Sequence, residues 1–214
     1  MAQALTERGE ASRERILECA FSLFAGKGVS ATSVAEICRA AGVAKTGLYW
    51  HFDSKDGLLA AVLERAARAQ VERIQKAVYL RGEPLARLDA FMEHLRHLLE
   101  EERDVIRLHL AVALERGEHD EATREALSRV SRTVRNTIVQ GIEDALGQPL
   151  PGADLLAHTV IALLDSALLA LVIDPEGTDL DRLHENMRTT FVVLARHYLE
   201  AAGIHRADLQ GETP

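Results

Sequence analysis

The residues whose types and spacing suggest a chemical role lie together in one short segment, residues 45–52. On a helix of 100° per residue, Thr46, Tyr49 and Trp50 fall on one side of this segment, opposite Leu48. A helix of about two turns that exposes a tyrosine and the chain's only tryptophan needs another molecule to cover those rings. Aromatic and hydroxyl groups arranged in this way suit the phosphates and base edges of DNA. We therefore expect a nucleic-acid-binding surface here.

A second short helix must hold this segment at a fixed angle. Ser33, followed three residues later by Glu36, is typical of a capping box at a helix start. Gly42 stands where the same helix needs a left-handed residue to end. The inward stripe of this helix consists of Val34, Ile37 and Ala41. Two short helices around a tight turn predict a helix-turn-helix, whose second helix enters the major groove of DNA.

The segment from Arg13 to Leu59 resembles the amino-terminal domain of the TetR family of bacterial one-component repressors. The resemblance is close in this segment and elsewhere extends only to an all-helical pattern. It implies a homodimer that represses transcription at a palindromic operator and is released by a small-molecule effector. The matching residues, in register without a gap, include Phe24, Gly28, Thr32, Ile37, Ala41, Gly42, Val43, Leu48, Tyr49, Phe52, Lys55 and Leu58.

Two helix starts supply the candidates for phosphate contacts. Thr32 and Ser33 precede the first short helix, where backbone donors and the helix dipole suit a phosphate, although both residues also cap that helix. Tyr49 and Lys55 match positions that clamp phosphates in the family. Trp50 is expected to contact a phosphate or the groove.

Base reading is expected from the leading end of the second helix. Lys45 can donate to guanine O6 and N7, and the Thr46 methyl group can meet a thymine methyl group. Gly47 costs this helix roughly 1 kcal/mol relative to alanine, which makes sense if its backbone comes close to the groove floor. Ala44 replaces the serine or threonine cap that is usual in the family. Without that cap, the second helix lacks about 1 kcal/mol of capping stabilisation. We therefore expect its first turn to fray until DNA orders it.

Composition and charge agree with an all-α chain that binds DNA at one end. The 214 residues are 47% apolar, with few Gly or Pro, and carry a net charge of −8. Residues 1–52 hold six Lys or Arg and five Glu, a net +1, so the remainder carries −9. Residues 1–11 contain no apolar run, and we therefore expect a cytoplasmic protein. The two cysteines, Cys19 and Cys38, are expected to be small buried side chains.

The apolar spacing predicts the domain organisation of the chain. A mobile arm is expected over residues 1–11 and an amino-terminal three-helix helix-turn-helix DNA-binding domain over 12–53. A larger helical ligand-binding and dimerisation domain follows over 54–202, and a mobile tail over 203–214. The first helix of the larger domain runs from Ser54 to about Leu80 and starts in the DNA-binding domain. We therefore expect a tilt at its far end to move the helix that enters the major groove.

Four residues of the larger domain are candidates for effector binding: Phe91, His109, Val112 and Asp165. His109 is centred among apolar residues, so it is either a core histidine with a satisfied hydrogen bond or a polar group in a ligand pocket. Asp165 is either the anchor of a cationic effector or a structural hydrogen-bonding group. Residues 155–173 are apolar almost all round, but Asp165 would oppose membrane insertion by roughly 2.5–3.5 kcal/mol. We expect this helix to be covered in a dimer, with His158 among its buried polar groups.

Two other functions stay open on the sequence alone. A helical ligand carrier or enzyme could have kept a helix-turn-helix without using it. Because no nucleophile with its base, Gly-rich phosphate loop or closed set of metal ligands is recognisable, we expect no enzyme, no metal and no cofactor. A ligand-dependent activator is the other possibility, since repression or activation depends on where the operator lies.

Overall fold

The computed structural model describes the backbone of residues 2–78, 84–101, 103–117, 120–146 and 148–203. Every regular element within these ranges is an α-helix, as the apolar spacing predicts. The helices are α1 (Ala2–Lys27), α2 (Val34–Ala41), α3 (Lys45–His51), α4 (Lys55–Val78), α5 (Pro84–Glu100), α6 (Arg103–Arg116), α7 (Glu121–Leu146), α8 (Ala153–Ile173) and α9 (Leu180–Ala201).

The chain forms two compact units. The amino-terminal unit contains the described residues of 1–68 and 104–130, and the carboxy-terminal unit contains those of 69–103 and 131–203. This division differs from the predicted boundary at residue 54. Leu108 and Val112 of α6 and Leu127 of α7 belong to the core of the amino-terminal unit. The helical periodicity of α6 marks its apolar side but does not say which core that side joins.

Helix α1 begins at Ala2 and includes most of the segment predicted to be a mobile arm. The physical reason is that residues 2–11 contain no proline and several strong helix formers, so Ser12 is not needed as a cap. The predicted tail lies outside the described residues, except for Gly203.

Helices α1, α2, α3 and α4 all pack into the core of the amino-terminal unit. This packing fixes the angle between the two short helices, α2 and α3. Each of these helices supplies side chains that water does not reach. Burying one such side chain stabilises the fold by about 1.5–3 kcal/mol. The fully buried side chains include Ile16, Leu17 and Phe24 of α1, Ile37 of α2, Leu48 of α3 and Leu58 of α4.

The carboxy-terminal unit contains the last parts of α4 and α7 together with α5, α8 and α9, and the last three of these contact one another. Phe91 of α5 packs against Phe191 of α9 with ring centroids 6.3 Å apart. Leu156 and Val160 are buried on one side of α8. His184 of α9 lies 3.0 Å, through Nε2, from the carbonyl oxygen of Met92.

The other side of α8, called its bare side below, is exposed to solvent in a single chain. Its exposed apolar residues are Leu155, Leu169, Val172 and Ile173, and Val193 is exposed on α9. By length and composition alone, α8 is the one helix of the described residues that could cross a membrane. In the single chain the His158 side chain is exposed and its Nε2 lies 3.0 Å from Nη1 of Arg135, so the burial of His158 in a dimer stays a prediction.

Candidate nucleic-acid interface

The start of α2 is held by the predicted capping box, which the structure confirms. The Ser33 hydroxyl accepts from the backbone N–H of Glu36 at 3.2 Å, and the Ser33 N–H donates to Oε2 of Glu36 at 2.8 Å. Lys27 donates to the other carboxylate oxygen of Glu36 at 2.5 Å. The Lys27 ammonium, followed by the two Ser33 hydrogen bonds, lowers the pKa of Glu36 to about 2. The carboxylate therefore stays ionised at any physiological pH.

This pKa predicts how stability depends on pH. A carboxylate whose folded pKa is lowered stabilises the fold above its unfolded pKa and loses that contribution as pH falls. We expect Glu36→Gln to lower the urea midpoint at pH 7, and this difference to shrink as pH falls from about 4.5 towards about 2. Lys27→Met removes the largest cause of the lowered pKa of Glu36. In a chain that carries Lys27→Met, the difference in urea midpoint caused by Glu36→Gln should therefore depend less on pH. A difference that does not change with pH would contradict this origin.

The turn between α2 and α3 is made by Gly42, which has φ +65° and ψ +35°. This left-handed conformation is costly for a residue with a Cβ atom. The Val43 N–H donates to the carbonyl oxygen of Cys38 at 3.0 Å, which closes the end of α2. Leu48, fully buried, then fixes the side of α3 that faces the core.

The outward side of α3 carries the residues predicted to meet DNA. Tyr49 is 42% exposed and Trp50 is 77% exposed, as the helical wheel predicts. Lys45 and Thr46 are exposed at the start of the helix. The Lys45 Nζ lies 5.8 Å from the centre of the Tyr49 ring, within the range of a cation–π contact. Cationic, hydroxyl and aromatic groups thus form one continuous outer side of α3.

Two of the predicted phosphate-binding side chains have partners inside the domain. Thr32 is only 1% exposed, and its hydroxyl donates to the carbonyl oxygen of Gly28 at 2.8 Å. The Thr32 side chain is therefore structural, which corrects its assignment as a phosphate ligand. Lys55 donates to the carbonyl oxygen of Val29 at 2.6 Å. One of its three donors is used there, and its ammonium group remains partly exposed.

The start of α3 has no side-chain cap, because Ala44 occupies the cap position in an extended conformation with φ −72° and ψ 153°. A Cβ atom added at Gly47 would meet nothing within 4 Å. We expect Ala44→Ser and Gly47→Ala each to raise the free energy of unfolding by roughly 1 kcal/mol, measured by urea denaturation.

The same two variants are expected to differ in DNA binding. Ala44→Ser should keep the affinity, whereas Gly47→Ala should lower it about tenfold if the backbone lies on the groove floor. Equal affinity in a fluorescence titration would remove Gly47 from the interface.

Within the amino-terminal unit, helix α6 makes two polar contacts that the sequence did not reveal. The Glu115 carboxylate accepts from the backbone N–H of Ser30 at 3.0 Å and from its hydroxyl group. Arg116 donates to Asp56 at 2.6 Å. The Ser30 hydroxyl is the largest cause of the lowered pKa of Glu115. These contacts join residues 85 and 60 positions apart in the chain, and no local spacing could predict them.

The four candidate effector residues are divided between the two units. Val112 is fully buried in the core of the amino-terminal unit, and its assignment to a ligand pocket stays a prediction. Burial lowers the pKa of His109, which belongs to the same unit. Phe91 and Asp165 belong to the carboxy-terminal unit. Phe91 is buried, and burial raises the pKa of Asp165.

The cysteines and the other possible metal ligands form no cluster in the described part of the chain. Both cysteines are free thiols, Cys38 buried and Cys19 partly buried. No group of three or more His, Cys, Asp or Glu side chains is arranged to hold a metal within the described ranges.

One long helix packed against two short helices that form a helix-turn-helix, followed by further helices, defines the class of all-α helix-turn-helix proteins. Residues 16–62 match the family model for bacterial regulatory proteins of the tetR family. The amino-terminal domain of this chain therefore matches the family that the resemblance predicted.

Relatives in sequence and in structure extend this match. The chain is 33% identical over 96 residues to the helix-turn-helix transcriptional regulator AcrR of Shigella flexneri, covering 44% of this chain and 45% of that protein. It thus spans less than half of that relative. A transcriptional regulator structure from Pseudomonas aeruginosa PAO1 covers 87% of this chain and 93% of its own, with TM-score 0.70 and 21% identity. A regulator structure from Saccharomonospora viridis, in complex with choline, covers 83% and 93%, with TM-score 0.64 and 23% identity. At these identities the structures show a shared fold.

Proposed function

We propose that this protein is a transcriptional regulator, a homodimer that represses from a palindromic DNA operator and is released by a small molecule. The observation that carries this proposal is the exposed pair Tyr49 and Trp50 on a seven-residue helix whose other side is core. Exposed aromatic groups of this size on so short a helix fit a surface that a partner covers. The proposal includes no enzymatic activity and a cytoplasmic location.

Each residue of the interface has a distinct role in this proposal. Lys45 and Thr46 read base edges, and Gly47 lets the backbone approach the groove floor. Tyr49, Trp50 and Lys55 hold phosphates or the groove wall, and the N–H groups at the start of α2, next to Ser33, add a helix-terminal phosphate contact. Thr32 supports this start of α2 from inside the domain. The residues proposed to touch DNA are then Ser33, through the start of α2, and Lys45, Thr46, Tyr49, Trp50 and Lys55, through their side chains.

A second copy of the chain would cover the bare apolar side of α8 and α9. Leu169 and Ile173 lie one turn apart on α8, and Val193 lies on α9, all more than half exposed. Exposed apolar side chains grouped in this way favour an interface over a solvated surface. Two copies related by a two-fold axis could place their α3 helices in successive major grooves, about 34–36 Å apart.

The carboxy-terminal unit is the proposed effector-binding region. Asp165 would supply an anionic group and Phe91 an aromatic one, and quaternary ammonium ligands are recognised by groups of both kinds. The choline bound by the Saccharomonospora viridis regulator is a ligand of this chemical class. A ligand that favours one arrangement of the dimer must weaken DNA binding by the same factor by which DNA weakens ligand binding.

Selection from a pool of random duplexes, followed by a band-shift assay at low salt, tests the proposed function. We expect enrichment of a palindromic sequence and a shifted band that the Trp50→Ala variant gives only at higher protein concentration. If no duplex is enriched over the starting pool, the proposed function fails. Placing the selected sequence within or upstream of a reporter promoter then distinguishes repression from activation.

A further inference from the structure

Helix α1 contacts the exposed tryptophan at a position that has no side chain. A Cβ atom added at Gly9 would lie 3.8 Å from Cζ3 and 3.9 Å from Cη2 of Trp50. These are ordinary van der Waals distances. The outer edge of the indole ring therefore lies beside the surface of α1 where a larger side chain would project.

The neighbouring turn of α1 contacts the same end of α3. Arg13, four residues after Gly9 and so on the same side of α1, places its guanidinium group 5.3 Å from the centre of the Phe52 ring. His51 lies between the two contacts and packs edge-on against Trp50, with ring centroids 4.6 Å apart. One side of α1 thus lies, at two successive turns, beside Trp50 near the end of α3 and beside Phe52 just after it.

The presence of glycine at this position has a cost in helix stability. Glycine inside a helix is less favourable than alanine, because a glycine residue loses more conformational freedom on folding and has no side chain to pack in the folded state. Gly26 of the same helix carries this cost too, but a Cβ atom added there would meet nothing within 4 Å. Gly9 differs from Gly26 in its surroundings, because the nearest side-chain neighbour of a Cβ atom at Gly9 is the indole of Trp50.

We propose that Gly9 is a positioning residue for DNA recognition: its missing side chain lets the Trp50 indole rest against α1, which sets the direction in which the ring meets DNA. This inference rests on the proposed function. Because the ring is 77% exposed, the core of the domain does not hold its direction. A side chain that occupies the space beside α1 would turn the indole away while leaving the core of the domain unchanged.

Three variants of the full-length chain separate this role from a general effect on α1. Gly9→Ile places two γ branches at the contact, whereas Gly9→Ala adds only the Cβ atom for which there is room. Gly26→Ile makes the same change on the same helix where nothing lies nearby. Isoleucine is no worse a helix former than glycine, so loss of helix is not expected in any variant.

Trp50 reports on its own position, because it is the only tryptophan of the chain. In time-resolved fluorescence anisotropy without DNA, we expect Gly9→Ile to increase the fast local motion of the indole, with no change in Gly9→Ala or Gly26→Ile. In a titration with the selected duplex, we expect Gly9→Ile to bind roughly five to ten times more weakly, and the other two variants to bind as the unsubstituted chain does.

The outcomes that overturn the inference are distinct from those that overturn the proposed function. Unchanged indole motion in Gly9→Ile means that Gly9 does not position the ring. Altered motion with unchanged affinity means that the ring position does not matter for DNA, and either result overturns the positioning role. If the unsubstituted chain binds no duplex, the proposed function has failed and the positioning role fails with it.

Discussion

A chain in which Lys45 and Trp50 are both replaced by alanine is expected to bind its selected duplex at least about a hundredfold more weakly. Each lost contact to a base or to the backbone costs of order 1 kcal/mol or more, and a symmetric dimer loses each contact twice. The free energy of unfolding should change by less than about 0.5 kcal/mol, because both side chains are exposed. Titration of a labelled duplex and urea denaturation measure the two quantities.

A matched control for this double variant is Leu114→Ala. Leu114 is 86% exposed on α6 and has no part in the proposed interface. The control removes an exposed apolar side chain from the same unit and should leave the affinity unchanged. A loss smaller than about threefold in the double variant, or an equal loss in the control, would place the DNA contact elsewhere.

The second large effect is expected from charges placed on the bare side of α8. Leu169→Glu combined with Ile173→Glu puts two carboxylates per chain into the proposed interface of two copies. Removing such charges from water is costly unless they are paired, so the dimer should dissociate. Affinity for the palindrome should fall at least about a hundredfold, because two linked half-site contacts become independent.

Analytical ultracentrifugation measures the oligomeric state directly. The unsubstituted chain is expected to sediment as a dimer, and the double glutamate variant as a folded monomer. Leu114→Glu, a charge at an exposed leucine of the other unit, should remain a dimer. Dimers of unchanged stability in the α8 variant would show that this apolar side is not the interface.

The features that the sequence predicted well depend on neighbours along the chain. The capping box of Ser33 and Glu36 and the left-handed Gly42 need only a few adjacent residues to form. The outward direction of Tyr49 and Trp50 follows from the helical repeat alone. For the same reason the all-α class and the place of most helices could be predicted.

The features that were missed depend on contacts between distant parts of the chain. Thr32 lies where a phosphate ligand would, but its hydroxyl turns inward to the carbonyl oxygen of Gly28. Val112 was predicted on an apolar side of its helix, yet periodicity does not say that this side joins the amino-terminal core. The contact between Ser30 and Glu115 joins residues 85 positions apart. The early start of α1 was missed because Ser12 looked like a cap, whereas the preceding residues also favour a helix.

The salt dependence of DNA binding tests most directly whether the outward side of α3 meets DNA. Each phosphate neutralised by a Lys or Arg adds about −0.9 to the slope of log affinity against log salt. A lysine that reads a base in the groove also neutralises nearby phosphate charge, so with Lys45 and Lys55 of both copies engaged we expect a slope of about −3 or steeper for the selected duplex. Lys45→Ala should make it less steep by about two, one for each copy. A flat slope, or no binding at low salt, would contradict the account.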